Sequence, residues 1–211
     1  MTFSIVAHSP RETAWGVAVA SKYLAVGAMV PAAAPDVGAI ATQAHTNMAF
    51  RERGLALLDA GEPAEKTLAA LLADDPGRLR RQVGVVGRTG ETAAWTGPEC
   101  AGYAGHRTGD GYTLQGNLLT GPEVLDAMQS AWTTSADVPL RRRLLAALAA
   151  GDEVGGDRRG RQSAALLVVG AGRPIGDGTR VLVDLRVDDA HDPVGELTRL
   201  MDLNDDLLGT A

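Results

Sequence analysis

Strand-length segments that are apolar at nearly every position are the feature that most restricts how this chain folds. Residues 164–169 (AALLVV) have no polar side chain to turn toward water. Side chains alternate between the two faces of a strand, so such a segment must be covered on both sides. Two more apolar runs, 2–8 and 15–21, open the chain, joined by the turn formers Ser9-Pro10-Arg11-Glu12-Thr13. They predict a β-hairpin. Residues 37–44 predict a third strand. A helix pair follows, over about 48–60 with Gly61 as its stop, and from Pro63 to just before Pro76 with Glu65 in the first turn. Residues 82–88 and 92–96 predict a strand pair across Thr89-Gly90. A glycine-rich stretch, 97–120, holds one more strand at about 112–115. A second helix pair (about 122–133 and 139–150), a polar linker 151–162, strands at 164–169 and 180–187, and a helix capped by Asp192 with Pro193 at its first position complete the order.

Strands, helix pair, strands, helix pair, strands, helix: this order predicts an α+β fold, a four-layer αββα sandwich formed by one domain over residues 1–211. Two sheets stacked face to face under outer helix layers would bury the continuous apolar strands. A three-layer α/β sheet is the competing architecture, but strict strand–helix alternation is absent.

Composition narrows the function classes. With 45% hydrophobic but only 4% aromatic residues among 211, the core must be built from Ala, Val and Leu. The formal charge of −6 disfavours nucleic acid or an anionic membrane surface as partner. Cys100 is the single cysteine, which excludes an intrachain disulfide, and His8, His45, His106 and His191 show no metal-ligand spacing. No metal or other cofactor is therefore expected. A signal peptide and an 18-residue apolar run are both missing, so a cytoplasmic protein is expected. Gly170-Ala171-Gly172 follows a strand but leads to Pro174 instead of a helix, which rejects a dinucleotide fold. No phosphate loop or Gly-x-Ser-x-Gly elbow occurs.

Thr2 directly follows Met1. Removal of Met1 would leave a hydroxyl and a free α-amine on one residue, and an amine of pKa about 7.7–8.0 is partly neutral near pH 7. It can take the hydroxyl proton and so activate Oγ for attack on an amide carbonyl. A threonine at position 2 is by itself ordinary. Its place at the start of an apolar strand adds weight, because the sheet would fix it. Antiparallel pairing also brings the end of the second strand, Ser21-Lys22, beside the start of the first. A cation there would favour the neutral amine; Lys22 is one of only two lysines, and its alternative reading is a solvated charge at a strand end.

The segments TFSIVAHSPRETAWGVAVASKYLAVGA, ATQAHTN, YTLQGNLLTGPEV, GGDRRGRQSAALLVV and VDLRVDD together resemble the family of unknown function DUF1028 over essentially the whole chain. That family is assigned to the N-terminal-nucleophile (Ntn) hydrolases, alongside proteasome β-subunits and aspartylglucosaminidase-like amidases. The resemblance implies the αββα fold, Thr2 as nucleophile, and supporting roles for Ser21 and Lys22. It implies an oxyanion-hole donor in the turn His45-Thr46-Asn47, either a backbone N–H or the Asn47 side chain. Asp157 and Ser163 occupy a place comparable to the Asp and Ser that proteasome-type subunits carry near the terminal amine, although the spacing differs.

Arg158 and Arg161, flanking Arg159-Gly160 and followed by Gln162, offer a fork for a substrate carboxylate; the alternative is a solvated loop or an inter-subunit salt bridge. Gln43, at a strand end, is a candidate for binding an amide, as are Gln115 and Asn117, whose alternative is to satisfy loop backbone groups. The expected activity is hydrolysis of a small amide or carbamoyl C–N bond through an acyl-enzyme on Thr2. The expected partners are a small-molecule amide, anionic if the arginine fork binds it, and further copies of the chain in a homo-oligomer. The alternative is a catalytically silent Ntn-fold protein that binds a small ligand or serves as an assembly subunit.

Overall fold

A computed structural model describes residues 2–176 and 178–208. It is a mixed α+β fold with two antiparallel sheets. The chain opens with strands β1 (Thr2–Ser9) and β2 (Ala14–Ser21), a short 3-10 helix (Val26–Ala28), strands β3 (Pro31–Ala34) and β4 (Gly38–Ala44), then helices α1 (Ala49–Asp59) and α2 (Ala64–Ala73). Strands β5 (Arg81–Val86), β6 (Thr92–Thr96), β7 (Tyr103–Gly109) and β8 (Tyr112–Leu119) follow, then α3 (Glu123–Thr134), α4 (Leu140–Glu153), β9 (Ser163–Gly170), β10 (Val181–Val187) and α5 (Pro193–Leu208). One sheet runs β10-β9-β2-β1-β8-β7, the other β3-β4-β5-β6. The hairpin expected at the start of the chain is present, with Phe3 opposite Ala20 and His8 opposite Trp15. Asp192 caps α5, its Oδ1 accepting the Gly195 N–H at 3.1 Å. Strands β3 and β7 were not expected.

The alternation of side chains explains why the strands are apolar throughout. On β1, Phe3, Ile5 and Ala7 pack with Met128 and Trp132 of α3, Leu144 and Leu148 of α4, and Val194, Leu197 and Met201 of α5. The intervening Val6 packs with Trp15, Val17 and Val19 of β2 and with Ala39, Ala41 and Val86 of the second sheet. On that second sheet, Ile40, Val83 and Val85 turn outward to Phe50 and Leu58 of α1 and Leu68 and Leu71 of α2. Three apolar clusters thus hold the two sheets to one another and to the helices, and complete burial of each large aliphatic side chain contributes about 1.5–3 kcal/mol. Helix α4 lies so close to β2 that a Cβ on Gly16 would stand 2.6 Å from Leu144 Cδ1 and 2.9 Å from the Leu167 carbonyl oxygen.

Candidate active site

The layer between the sheets is apolar at the end carrying Trp15 and polar at the end carrying Thr2. Register sets the polar end. Ser163 of β9 lies opposite Ser21 of β2, Asn117 of β8 opposite Thr2 of β1, and the β1–β2 ladder leaves Thr2 beside Ser21. Four polar residues therefore stand abreast on one face, all buried. The hydroxyls of Thr2 and Ser21 are 3.1 Å apart. One step inward on the same face, Ser4 pairs with Gln115.

Two glutamines of the opposite sheet, Gln43 and Gln82, cross the gap. Ser4 Oγ donates to Gln43 Oε1 and accepts from Gln115 Nε2, both at 2.7 Å. Gln43 Nε2 donates to Gln82 Oε1 at 2.9 Å, and to the carbonyls of Gln115 at 3.2 Å and Thr2 at 3.4 Å. Asn117 Nδ2 donates to the same Gln82 Oε1 at 2.9 Å and to the Thr2 carbonyl at 3.4 Å. Gln82 Nε2 reaches Thr96 Oγ1 (2.9 Å) and the carbonyls of Gly105 (3.1 Å) and Gly116 (2.8 Å). Buried amides must find such partners, and once they do they fix one another's orientation. The backbone of Thr2 is thereby held by Gln43 from one sheet and Asn117 from the other.

Thr2 also lines a cavity of about 200 Å³. Its other walls are Tyr23, Val26, Met29 and Val30 from the β2–β3 connection, and Ala44, His45 and Thr46 from the turn after β4. Both walls are tied down. Asp157 Oδ2 accepts the Lys22 N–H at 2.7 Å; Ser163 Oγ donates to the Tyr23 carbonyl and accepts the Val26 N–H at 3.1 Å. On the other wall, Arg81 Nη1 donates to the His45 carbonyl at 2.6 Å while its Nε and Nη2 grip Asp75 at 2.6 and 3.1 Å. The Arg81 hydrogen bond holds the Asp75 carboxyl below the usual range, assisted by the Gly77 N–H and opposed by burial. Three non-glycine residues with positive φ stand at this end: Ala25 (54°), Ala44 (68°) and Leu118 (53°). Strained backbone of this kind costs about 1–3 kcal/mol per residue and clusters at functional sites.

Of the residues expected here, Thr2, Ser21, Gln43, Gln115, Asn117 and Ser163 are brought together. Lys22 is not. Successive residues point to opposite faces, so the residue after Ser21 leaves the face that Ser21 shares with Thr2. Its side chain is exposed and its ammonium donates to the Arg161 carbonyl at 3.1 Å. Asn47 is displaced for a different reason: its Oδ1 caps the start of α1 through the Ala49 N–H at 3.2 Å, and its side chain also bonds Asp75. The turn meets the cavity through Ala44, His45 and Thr46 instead.

Of the 155–163 block, Ser163 stands in the buried polar row beside Ser21, and the rest supports the site from behind without lining the cavity. Arg161 is ion-paired with Asp152 at 2.8 Å, and Arg159 with Asp157 at 3.3 Å. Burial pushes the Asp152 carboxyl up, against the Arg161 pairing. Gln162 Nε2 donates to Asp189 at 3.1 Å. Arg158 is exposed, its Nη1 3.5 Å from where a Gly102 Cβ would stand. The Arg158–Arg161 fork expected for a substrate carboxylate is therefore not assembled at the cavity. Met1, whose removal the Thr2 chemistry requires, lies outside the described residues.

Sequence reasoning missed Ser4, Gln82 and the wall residues Tyr23, Val26, Met29 and Val30. A usable signal was present: YLAVGAMV joins two strands yet carries aliphatic residues that a solvated loop does not need. Among the described residues, no group of three His, Cys, Asp or Glu side chains is arranged to hold a metal ion. No helix there is long and apolar enough to cross a membrane.

The family of unknown function DUF1028 matches residues 2–197. The crystal structure of protein SPO2555 from Silicibacter pomeroyi, assigned to the same family, is 35% identical, covering 97% of this chain and 86% of that one, with a TM-score of 0.88. Anbu, the ancestral β-subunit from Yersinia bercovieri, aligns over 99% of this chain and 97% of its own at 10% identity and a TM-score of 0.41. No curated protein sequence matches the chain.

Proposed function

The chain belongs to the DUF1028 family, and from that premise we propose that it is an N-terminal-nucleophile amidohydrolase of the αββα type, with Thr2 as nucleophile after loss of Met1. The observation that carries this reading is the position of Thr2. It stands at the polar end of the inter-sheet layer, its hydroxyl 3.1 Å from that of Ser21 and its side of the strand open to a 200 Å³ cavity. In the proposed reaction the α-amine takes the Thr2 hydroxyl proton as Oγ bonds the substrate carbonyl carbon. The proton passes to the departing amine as the C–N bond breaks. Water, activated by the same amine, then cleaves the ester and releases the acid. Ser21 holds the Thr2 hydroxyl, Gln43 and Asn117 hold its carbonyl, and the backbone N–H of Thr46 is the oxyanion donor, that of His45 being bonded to the Arg80 carbonyl.

A second reading, small-ligand binding without turnover, is favoured by the placement of Lys22 and Asn47, two expected helpers whose polar groups are engaged elsewhere. The test is amide hydrolysis by protein shown by intact mass to lack Met1. Wild type should turn over, Thr2→Ser should retain part of the rate, and Thr2→Ala should lose at least about 1,000-fold. Thr2 is buried, so Thr2→Ala should also cost about 1 kcal/mol of stability through the Ser21 bond. A Met1-free wild type that binds amides but never cleaves them establishes the second reading.

A further inference from the structure

We infer that the cavity beside Thr2 selects an uncharged aliphatic group on the acyl side of the substrate, not the anionic group suggested by the nearby arginines. This deepens the proposed function and rests on Thr2 being the nucleophile. The wall formed by the β2–β3 connection is Val26, Met29 and Val30 with the Tyr23 ring, and Ala44 faces them from the end of β4. Polarity comes from backbone groups, the hydroxyls of Thr2, Tyr23 and Thr46 and the ring of His45; among the described residues no carboxylate, guanidinium or ammonium side chain lines the space.

The cations in the surrounding elements turn to other groups, although Lys22 and Arg51 meet only carbonyls and Arg51 Nε has no partner. Lys22 Nζ donates to the Arg161 carbonyl, and Arg51 Nη1 to the Ala28 carbonyl at 2.6 Å. Arg81 is divided between Asp75 and the His45 carbonyl, and Arg161 is paired with Asp152. A carboxylate entering the cavity would lose its water without gaining a side-chain counter-ion, the Thr2 α-amine being neutral in its role as base, whereas each buried methylene of an aliphatic group is favoured.

Size agrees with chemistry. Pockets that enclose a whole drug-sized ligand span about 300–1,000 Å³. At about 200 Å³ this one fits a single side-chain-sized group, with the rest of the substrate outside. Val26 and Val30 are buried and fixed by backbone bonds, so the cavity is shaped before a ligand arrives. Met29, only partly buried, is the adaptable wall.

Two measurements separate this inference from the reading beneath it. The first is equilibrium binding of N-acetyl-leucinamide and N-acetyl-glutamate amide to Met1-free Thr2→Ala protein, which needs no turnover. Leucinamide should bind at least about 10-fold tighter, as differences of this kind in apolar pockets run about 10- to 200-fold. Met29→Arg should invert the order, and Met29→Ala should admit N-acetyl-phenylalaninamide better than wild type does. Equal or tighter binding of the glutamate amide to unmodified walls overturns the inference, whatever the fate of Thr2.

The second is covalent labelling of wild type by two β-lactones, one with an isobutyl and one with a carboxyethyl substituent. Ring opening joins Thr2 Oγ to the lactone carbonyl carbon, breaks the ring C–O bond, and leaves a protonated hydroxyl on the adduct. Faster labelling of Thr2 by the isobutyl compound supports the inference, and faster labelling by the carboxyethyl compound overturns it. Labelling at residues other than Thr2, with the leucinamide preference intact, removes the nucleophile and keeps the pocket.

Discussion

Gln82→Leu is the perturbation that most directly tests whether the inter-sheet network holds Thr2. Gln82 is fully buried and makes five hydrogen bonds: it accepts from Gln43 and Asn117 and donates to Thr96 and to the carbonyls of Gly105 and Gly116. Leucine nearly preserves the volume, so the cost arises from what is left unpaired. Gln43 Nε2 still has the carbonyls of Gln115 and Thr2 for its two hydrogens, and Thr96 Oγ1 keeps His106 Nδ1 at 2.9 Å. Asn117 keeps only the 3.4 Å contact with the Thr2 carbonyl, so one of its N–H groups is orphaned. An unpaired buried donor costs about 1–3 kcal/mol, and weakened bonding at the two glycine carbonyls about 0.5 kcal/mol each. The expected loss is about 2–4 kcal/mol. Urea denaturation with a shared m value measures it. Because Asn117 and Gln43 both anchor the Thr2 backbone, hydrolysis by the variant should fall in kcat more than it rises in KM. A stability change below about 0.5 kcal/mol together with unchanged kcat would refute the view that this network positions Thr2.

Asp75→Asn should destabilise by about 2–4 kcal/mol at neutral pH, as breaking a largely buried ion pair does. The folded carboxyl lies below its unfolded value, so its contribution is present above about pH 4 and fades as pH falls through the folded value. Urea midpoints of wild type and variant should therefore differ at pH 7 and converge toward pH 3, and a constant difference would show that the charge is not the source. Ala44→Gly should relieve the positive φ and stabilise by up to about 1 kcal/mol, read as a rise in Tm. If the strained turn orients the oxyanion donor, the same variant should lose kcat; a variant both more stable and fully active would remove that role.

Much of the architecture was legible because burial on two faces leaves a mark in the sequence. Residues 164–169 and the opening hairpin could be read as doubly covered strands from their lack of polar positions, and the Asp192-Pro193 start of α5 from capping chemistry alone. Strand β3 escaped because Pro31-Ala32-Ala33-Ala34 has neither β-branched nor aromatic side chains. β7, at the sheet edge, carries Gly105, His106 and Arg107 where an apolar pattern would have exposed it. Edge strands need less cover, and so they write less into the sequence.

The site was legible along the chain and illegible across it. Hairpin geometry alone places Ser21 beside Thr2, but adjacency to Ser21 misled for Lys22, because one step along a strand changes face. The polar side chains of Ser4 and Gln82 read as solvent-facing in isolation; only the second sheet, distant in sequence and stacked over the first, turns them into interior residues. A cluster of neutral amides and hydroxyls is a poor way to fill an interior for stability alone, since apolar side chains of the same volume need no partners. Its value lies in direction: hydrogen bonds fix orientation where van der Waals packing leaves freedom. The network ends on the carbonyl of Thr2, the same end of the sheets holds the strained Ala25, Ala44 and Leu118, and the cavity opens there. Among the described residues, the two remaining positive-φ residues outside glycine, Thr13 and Asp36, lie in the tight β1–β2 and β3–β4 turns, where local geometry is reason enough. At the Thr2 end Ala25 also sits in a turn, the one that leads into the short 3-10 helix at Val26–Ala28, whereas Ala44 and Leu118 are strand residues whose strain no tight turn accounts for.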